Sequence, residues 1–225
     1  MTIYLKMLAG LICISVDPSS GNEGFEWQNA LMRLFFADIS QEGMFLLTIR
    51  FARGERGNQW KGVICSNGVV LKVHYSQFSH GNFNLSALPH TTTNIWICSC
   101  KQTFEIQTRS LPRELELLNL SVNMICGRID LTTLPPKLLT ADLSQNKLTG
   151  PIQLTHLPES MCTLDLQYNK ISQHVLWYDN LPGTIRRIKL FAPSEYHRIG
   201  KVRAVDPAKA VSYRIFADVP RKYIH

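Results

Sequence analysis

The stretch Leu134-Pro-Pro-Lys-Leu138-Leu-Thr-Ala141-Asp-Leu143-Ser-Gln-Asn146-Lys-Leu148-Thr-Gly150-Pro-Ile152-Gln-Leu154-Thr-His156 decides the fold. Its opening dipeptide also stands at Leu88-Pro89, Leu111-Pro112, Leu157-Pro158 and Leu181-Pro182, so Leu-Pro returns at intervals of 23, 23, 23 and 24 residues. A fixed period in this range belongs to a chain of stacked units, each of which buries its apolar face only against its neighbours.

The units upstream and downstream keep the same frame. From Leu111 it is filled by Leu115, Leu118, Leu120, Asn123, Ile125 and Ile129; from Leu157 by Met161, Leu164, Leu166, Asn169 and Ile171. The alternating pairs Leu118/Leu120, Ala141/Leu143 and Leu164/Leu166 predict short strands with one buried side and one displayed side. Asn123, Asn146 and Asn169 follow those strands where the backbone turns inward, and a buried amide there can satisfy peptide groups of the next turn. The pattern decays at both ends. The Leu88 unit has Ile95 and Ile97 but Cys100 at the Asn position, Val69 to Leu85 reads as a degenerate first turn, and Ile185, Ile188 and Leu190 begin a last strand with Pro193 at the Asn position.

The core L-x-x-L-x-L-x-x-N-x-L resembles the leucine-rich repeat family. The extension Asn146-Lys-Leu-Thr-Gly-Pro-Ile152 is similar to the extracellular plant-type subclass, and Trp60-Lys-Gly-Val-Ile-Cys65 resembles the W-x-G-V-x-C element that ends its N-terminal cap. That cap usually carries a second cysteine before the Trp, where this chain has Gly57, Asn58 and Gln59. The resemblance implies an α/β repeat, a short solenoid with about six parallel strands on a concave face. A helical N-terminal cap and an irregular or strand-containing C-terminal cap are expected. Apolar Trp27, Ala30, Leu31, Leu34 and Phe35 at helical spacing mark Glu26 to Ile39 as the capping helix. The expected division is 1–16 signal sequence, 17–63 N-terminal cap, 64–192 repeats and 193–225 basic C-terminal cap or tail.

A chain of 225 residues with 45% hydrophobic content can bury one sizeable core, and the single repeat argues for one domain. The net charge of +7 resides in the tail, since ten Lys or Arg and three Asp or Glu lie between Leu181 and His225 while residues 1–180 hold fourteen of each sign. Lys6 followed by the apolar run Met7 to Val16 reads as a secretory signal sequence, the alternative being a piece of the N-terminal cap. The run is too short to span a bilayer. The six cysteines, Cys13, Cys65, Cys98, Cys100, Cys126 and Cys162, suggest no pairing in the repeat frame and are read as free thiols. Cys98-x-Cys100 is no zinc signature, because no second Cys/His pair follows it.

No catalytic constellation, cofactor motif or metal-ligand spacing is found, so the expectation is a non-enzyme without cofactor. Asp142 and Asp165 become outward neighbours on adjacent strands, but a polar residue between the two leucines is ordinary in the family and acid/base work is disfavoured. What the frame delivers is a displayed surface. Its middle column is expected to run Lys72, Trp96, Asn119, Asp142, Asp165, Lys189, flanked by a column from His74 and Cys98 through Ser121, Ser144 and Gln167 to Phe191. An exposed Trp96 would suit a binding hot spot; the alternative is a Trp packed beneath the cap. The floor is smaller than a stable interface needs, so edges must contribute. Arg198, Lys201 and Arg203 head the second candidate surface, a basic tail interleaved with aromatics. The leading expectation is a secreted or cell-surface protein that binds a protein or glycan; the alternative is a cytoplasmic adaptor whose basic tail meets nucleic acid or an acidic assembly.

Overall fold

The computed structural model describes residues 22–48, 60–191 and 198–224. The expected signal sequence and Cys13 lie outside the described residues. The chain is a β-solenoid with mostly parallel strands, LRR-like in that each turn contributes one short strand to a long sheet. That sheet holds seven strands: β2 (Val63–Ser66), β3 (Val69–Ser76), β5 (Asn94–Cys98), β6 (Leu117–Asn119), β8 (Thr140–Asp142), β10 (Thr163–Asp165) and β12 (Arg187–Lys189). They lie in chain order across the sheet; β2 is antiparallel to β3 and every other pair is parallel. In register across it stand Val73, Ile95, Leu118, Ala141, Leu164 and Ile188, all buried, as are Tyr75, Ile97, Leu120, Leu143, Leu166 and Leu190 two residues on.

Each Leu-Pro pair starts a turn. The carbonyls of Pro89, Pro112, Pro135, Pro158 and Pro182 accept from the N–H three residues later, at Thr92, Leu115, Leu138, Met161 and Ile185. Proline suits this place because it offers no N–H to satisfy, and its fixed φ sets the entry to the turn. The residue three on is buried in every case, so the turn delivers an anchor to the core two residues before the next β-strand begins.

The asparagines form a ladder. Asn146 donates through Nδ2 to the carbonyls of Leu120, Leu143 and Ser144, and its Oδ1 accepts from Ile125 N–H at 3.0 Å. Asn169 repeats this on Leu143, Leu166, Gln167 and Leu148. Asn123 spans Ile97, Leu120 and Ser121 and accepts from both Cys100 and Gln102. At the turn where Cys100 stands in the Asn position, the amide is supplied by Gln102, which accepts from Phe83 N–H and donates to Gly81 and Cys100 carbonyls. The residue just before the Asn position is in the left-handed region in successive turns, at Gln77, Ser99, Val122, Gln145 and Tyr168.

Across the core runs a second set of strands. β7 (Cys126–Arg128) and β9 (Lys147–Thr149) pair in parallel, the bridge Thr149–Lys170 continues the row, and β11 (Ser172–Tyr178) pairs in parallel with β13 (Arg198–Ala204). Residues of the C-terminal segment close the end of the solenoid. Phe216 is buried beside Tyr178, it bridges to Ile188, and the Asp218 carboxylate accepts from the N–H groups of Leu190 and Phe191 and from Gln167.

At the other end two helices precede the sheet, α1 (Asn22–Phe35) and α2 (Gln41–Thr48), with a short strand pair, β1 (Asp38–Ile39) and β4 (Gly81–Asn82), beside them. The expected helix over Glu26 to Ile39 ends at Phe35, and its buried face differs from the expected one. Gln28, Met32 and Phe35 face the core, whereas Trp27 is 69% exposed and Leu34 54% exposed. The reason is polar. Gln28 accepts from Val70 N–H and donates to Gly68 carbonyl, covering groups at the open end of the first turn that no apolar side chain could satisfy. Trp60 is buried with its ring stacked on Phe36 at 4.2 Å, and Gly62, at φ +88°, lies so close to His74 carbonyl that a Cβ would sit 2.5 Å from it.

Candidate functional site

The solvent side of the long sheet is organised in rows set by the strand register. One row is Lys72, Asn94, Leu117, Thr140, Thr163 and Arg187; the next is His74, Trp96, Asn119, Asp142, Asp165 and Lys189. The expected column is thus corrected at its first place, for His74, not Lys72, stands beside Trp96. The expected pairing of Lys72 with Trp96 implies a step of 24 residues, whereas His74 to Trp96, like Val73 to Ile95, is a step of 22. A shift of two residues leaves inside and outside unchanged and moves the row by one. Lys72 remains exposed one row away, opposite Asn94.

Trp96 is 38% exposed, and its ring lies 5.4 Å from the His74 ring at a 38° tilt. It stands on the open sheet and does not pack beneath the N-terminal cap, which has its own aromatic cluster of Phe35, Phe36, Trp60, Tyr75 and Phe83. The rest of the row is committed to local bonds. Asn119 is buried, and its Oδ1 accepts from Ser121 N–H and Oγ; Asp142 does the same with Ser144; Asp165 accepts from Gln167 N–H. These side chains close the turn that leaves each strand. Lys189 donates to Asp165 at 2.8 Å, so that carboxylate is neutralised across the strands. Thr140 and Thr163 hydroxyls meet at 3.2 Å, and Cys98 Sγ lies 3.4 Å from Ser121 Oγ.

The face therefore changes character along its length. A cationic and aromatic end at Lys72, His74 and Trp96 gives way to a hydroxyl and amide floor, then to the Asp165–Lys189 pair and the exposed Arg187. Beyond the row, the left-handed residues Val122 and Tyr168 are exposed and form a rim that the alternation pattern does not single out. Their only sequence signal is their place immediately before an Asn.

The basic candidates lie elsewhere. Arg198 opens β13, Lys201 is exposed, and Arg203 is half-buried opposite Trp177 in the second set of strands, so the structure does not bring this group together with the long-sheet row. Cys98, Cys100, Cys126 and Cys162 are free thiols; Cys100 is buried, and burial pushes its thiol above the usual range. Among the described residues no group of three His, Cys, Asp or Glu could hold a metal ion, and no helix is long and apolar enough to cross a membrane.

No protein-family model and no curated protein matches the chain. Among solved structures it is similar to a Pollen Receptor Kinase 3, with 15% identity, 90% of this chain and 80% of that chain covered, and a TM-score of 0.40. It is similar to a plant ice-binding protein, with 15% identity, 77% and 71% coverage and a TM-score of 0.46. A third likeness is to a chain of the PEPR1-AtPEP1 structure, with 14% identity, 78% of this chain but 32% of that chain covered, and a TM-score of 0.43. At such identities and scores these likenesses carry nothing about a ligand.

Proposed function

We propose that this chain is a non-enzymatic interaction protein, secreted or held at the cell surface, whose long sheet binds a protein partner. The observation that carries the reading is Trp96, a large ring 38% exposed toward one end of an ordered sheet, beside His74. Exposed Trp flanked by polar neighbours is the composition of a binding hot spot. The floor beneath it is prearranged, because Asn119, Asp142 and Asp165 are fixed by bonds within their own turns. A partner so placed meets little side-chain entropy cost. The strands offer roughly 24 Å by 10 Å, so the partner also needs the rim at Val122 and Tyr168. The extracellular assignment follows the resemblance of Asn146 to Ile152 to the plant-type extension and the apolar run before Asp17.

The test uses the purified full chain as bait on medium or surface extract, with cross-linking to locate the contact. Trp96→Ala and His74→Ala are expected to abolish capture, while Thr155→Ala, away from this face, leaves it intact. Capture that survives both ring deletions would refute the role of the face. The native N-terminus, read by mass spectrometry, is expected near Val16; a mature chain beginning at Met1 would refute secretion by this signal.

A further inference from the structure

We propose that the second set of strands, across the core from Trp96, is a docking surface for a linear acidic polysaccharide. The outward residues of these strands are cationic and hydroxylated. Arg128, Thr149 and Lys170 stand in one row across two strands and the bridge beside them, and Lys147 lies exposed two residues before Thr149. Seven residues beyond Lys170, about 20 Å along the strand, Trp177 is 43% exposed beside Arg203, and Lys201 projects from the same side of β13, about 6.6 Å from Arg203. Among the described residues neither Lys147 nor Lys201 has a side-chain hydrogen bond or ion pair, and the Arg203 guanidinium has a buried Nε with no acceptor. The carboxylates keep to the rim. Glu105 sits beyond Cys126, Asp130 is held below the usual carboxylate range chiefly by its bond from Thr132, with help from Arg109 and Arg128, and Asp179 faces Lys209.

Three kinds of polyanion could meet such a band, and the residues between the cations choose among them. Thr149, Ser172 and His174, all exposed, fill most of those places, and Val175, half-buried beside Lys201, is the one aliphatic among them. The three polar ones can hydrogen-bond a hydroxylated chain but offer nothing to hydrocarbon, whereas an interfacial membrane site alternates its cations with apolar side chains. Single-stranded nucleic acid is held by successive large aromatic platforms, and this band has one, Trp177. One ring suits stacking on a single sugar, with the cations spaced along the chain to take its carboxylate or sulfate groups. The site is independent of the long-sheet reading, since it shares no residue with it.

The experiment measures binding of the full chain to heparin oligosaccharides and to oligogalacturonate by calorimetry across a salt series, with a thymidine oligonucleotide and phosphatidylserine vesicles alongside. Saturable binding to a polysaccharide is expected. The double variant Lys147→Gln/Lys201→Gln is expected to weaken it at least about tenfold and to flatten its salt dependence. Trp177→Ala is expected to weaken it about tenfold with the salt slope unchanged. Trp96→Ala is expected to bind normally, which separates this site from the face above. Absence of binding to both polysaccharides, indifference to the two variants, or equally tight binding to oligonucleotide or vesicles would overturn the proposal.

Discussion

Deleting the asparagine amides one at a time should give unequal losses, and the inequality can be worked out from shared partners. In Asn146→Ala three carbonyls lose a donor, yet each keeps another: Leu120 keeps Asn123 Nδ2, Leu143 keeps Asn169 Nδ2, and Ser144 keeps the N–H of Val122. Only the N–H of Ile125 is left with nothing, at a buried site. One orphaned buried donor costs about 1–3 kcal/mol. In Asn123→Ala two donors are orphaned, Cys100 N–H and Gln102 N–H, because a single Oδ1 serves both at 3.0 and 3.1 Å. The expected loss is therefore about 2–6 kcal/mol by the same rule. Urea denaturation of each variant reads this directly, since a loss of about 2 kcal/mol moves the midpoint by roughly 1 M when the slope is near 2 kcal/mol per M. Equal losses at the two positions, or a neutral Asn146→Ala, would show that the ladder is not what holds adjacent turns together.

Val122 is a β-branched residue at φ +57°, exposed and at the same place in its turn as Gln77, Gln145 and Tyr168. Val122→Asn should stabilise by about 1 kcal/mol, read as a higher urea midpoint with unchanged slope; a loss would mean that the valine makes a contact worth more than the strain. Tyr75 is buried with no partner for its hydroxyl, and burial pushes its phenol above the usual range. Tyr75→Phe should raise the melting temperature or leave it level, whereas a drop of about 1 kcal/mol or more would reveal a bond to that hydroxyl. Desolvation raises the Asp218 carboxyl above its ordinary value, against the bonds from Phe191, Leu190 and Gln167 that favour its charged form. A raised folded pKa means that the native state holds the proton longer, so this group's contribution to stability is full below the unfolded value near 3.8 and is lost as pH rises through the folded value. Asp218→Asn should remove that fall from the stability–pH curve, and a variant curve parallel to that of the parent chain would count against it.

The legible part of this chain is what the period of 23 controls. Strand sites, buried side and Asn positions all come from the Leu-Pro anchor, and at Leu118, Ala141 and Leu164 the structure keeps the expected register. Where the anchor is missing, the reading drifts. His74 replaced Lys72 beside Trp96 because a step of 22 residues in place of the expected 24 shifts a row without disturbing which side is buried, so the alternation of β3 cannot reveal it. The amide at Gln102 was illegible for a related reason. The need it meets is fixed by the turn, but the residue that meets it stands two places past Asn, at a reach that only the longer glutamine side chain has.

Glutamines at the two ends show how the solenoid closes, and they bear on which surfaces remain for partners. Gln28 does at the first turn what Gln102 does in the second, and Gln173 does it near the last, accepting from Ile152 N–H and donating to the carbonyls of Ile152 and Val175. On α1, two stripes compete for the core. Trp27, Ala30, Leu31 and Leu34 form the more apolar one, yet the stripe carrying Gln28 packs inward, because leaving Val70 N–H and Gly68 carbonyl bare would cost more than exposing a Trp ring. A polar requirement at the end of the array thus decided which apolar residues went to the surface. The same rule limits how Asn119, Asp142 and Asp165 can meet a partner: one oxygen of each already closes its turn, and the second Asp165 oxygen is held by Lys189. Trp96 and His74 close nothing, and they are the two rings in that row free to bind.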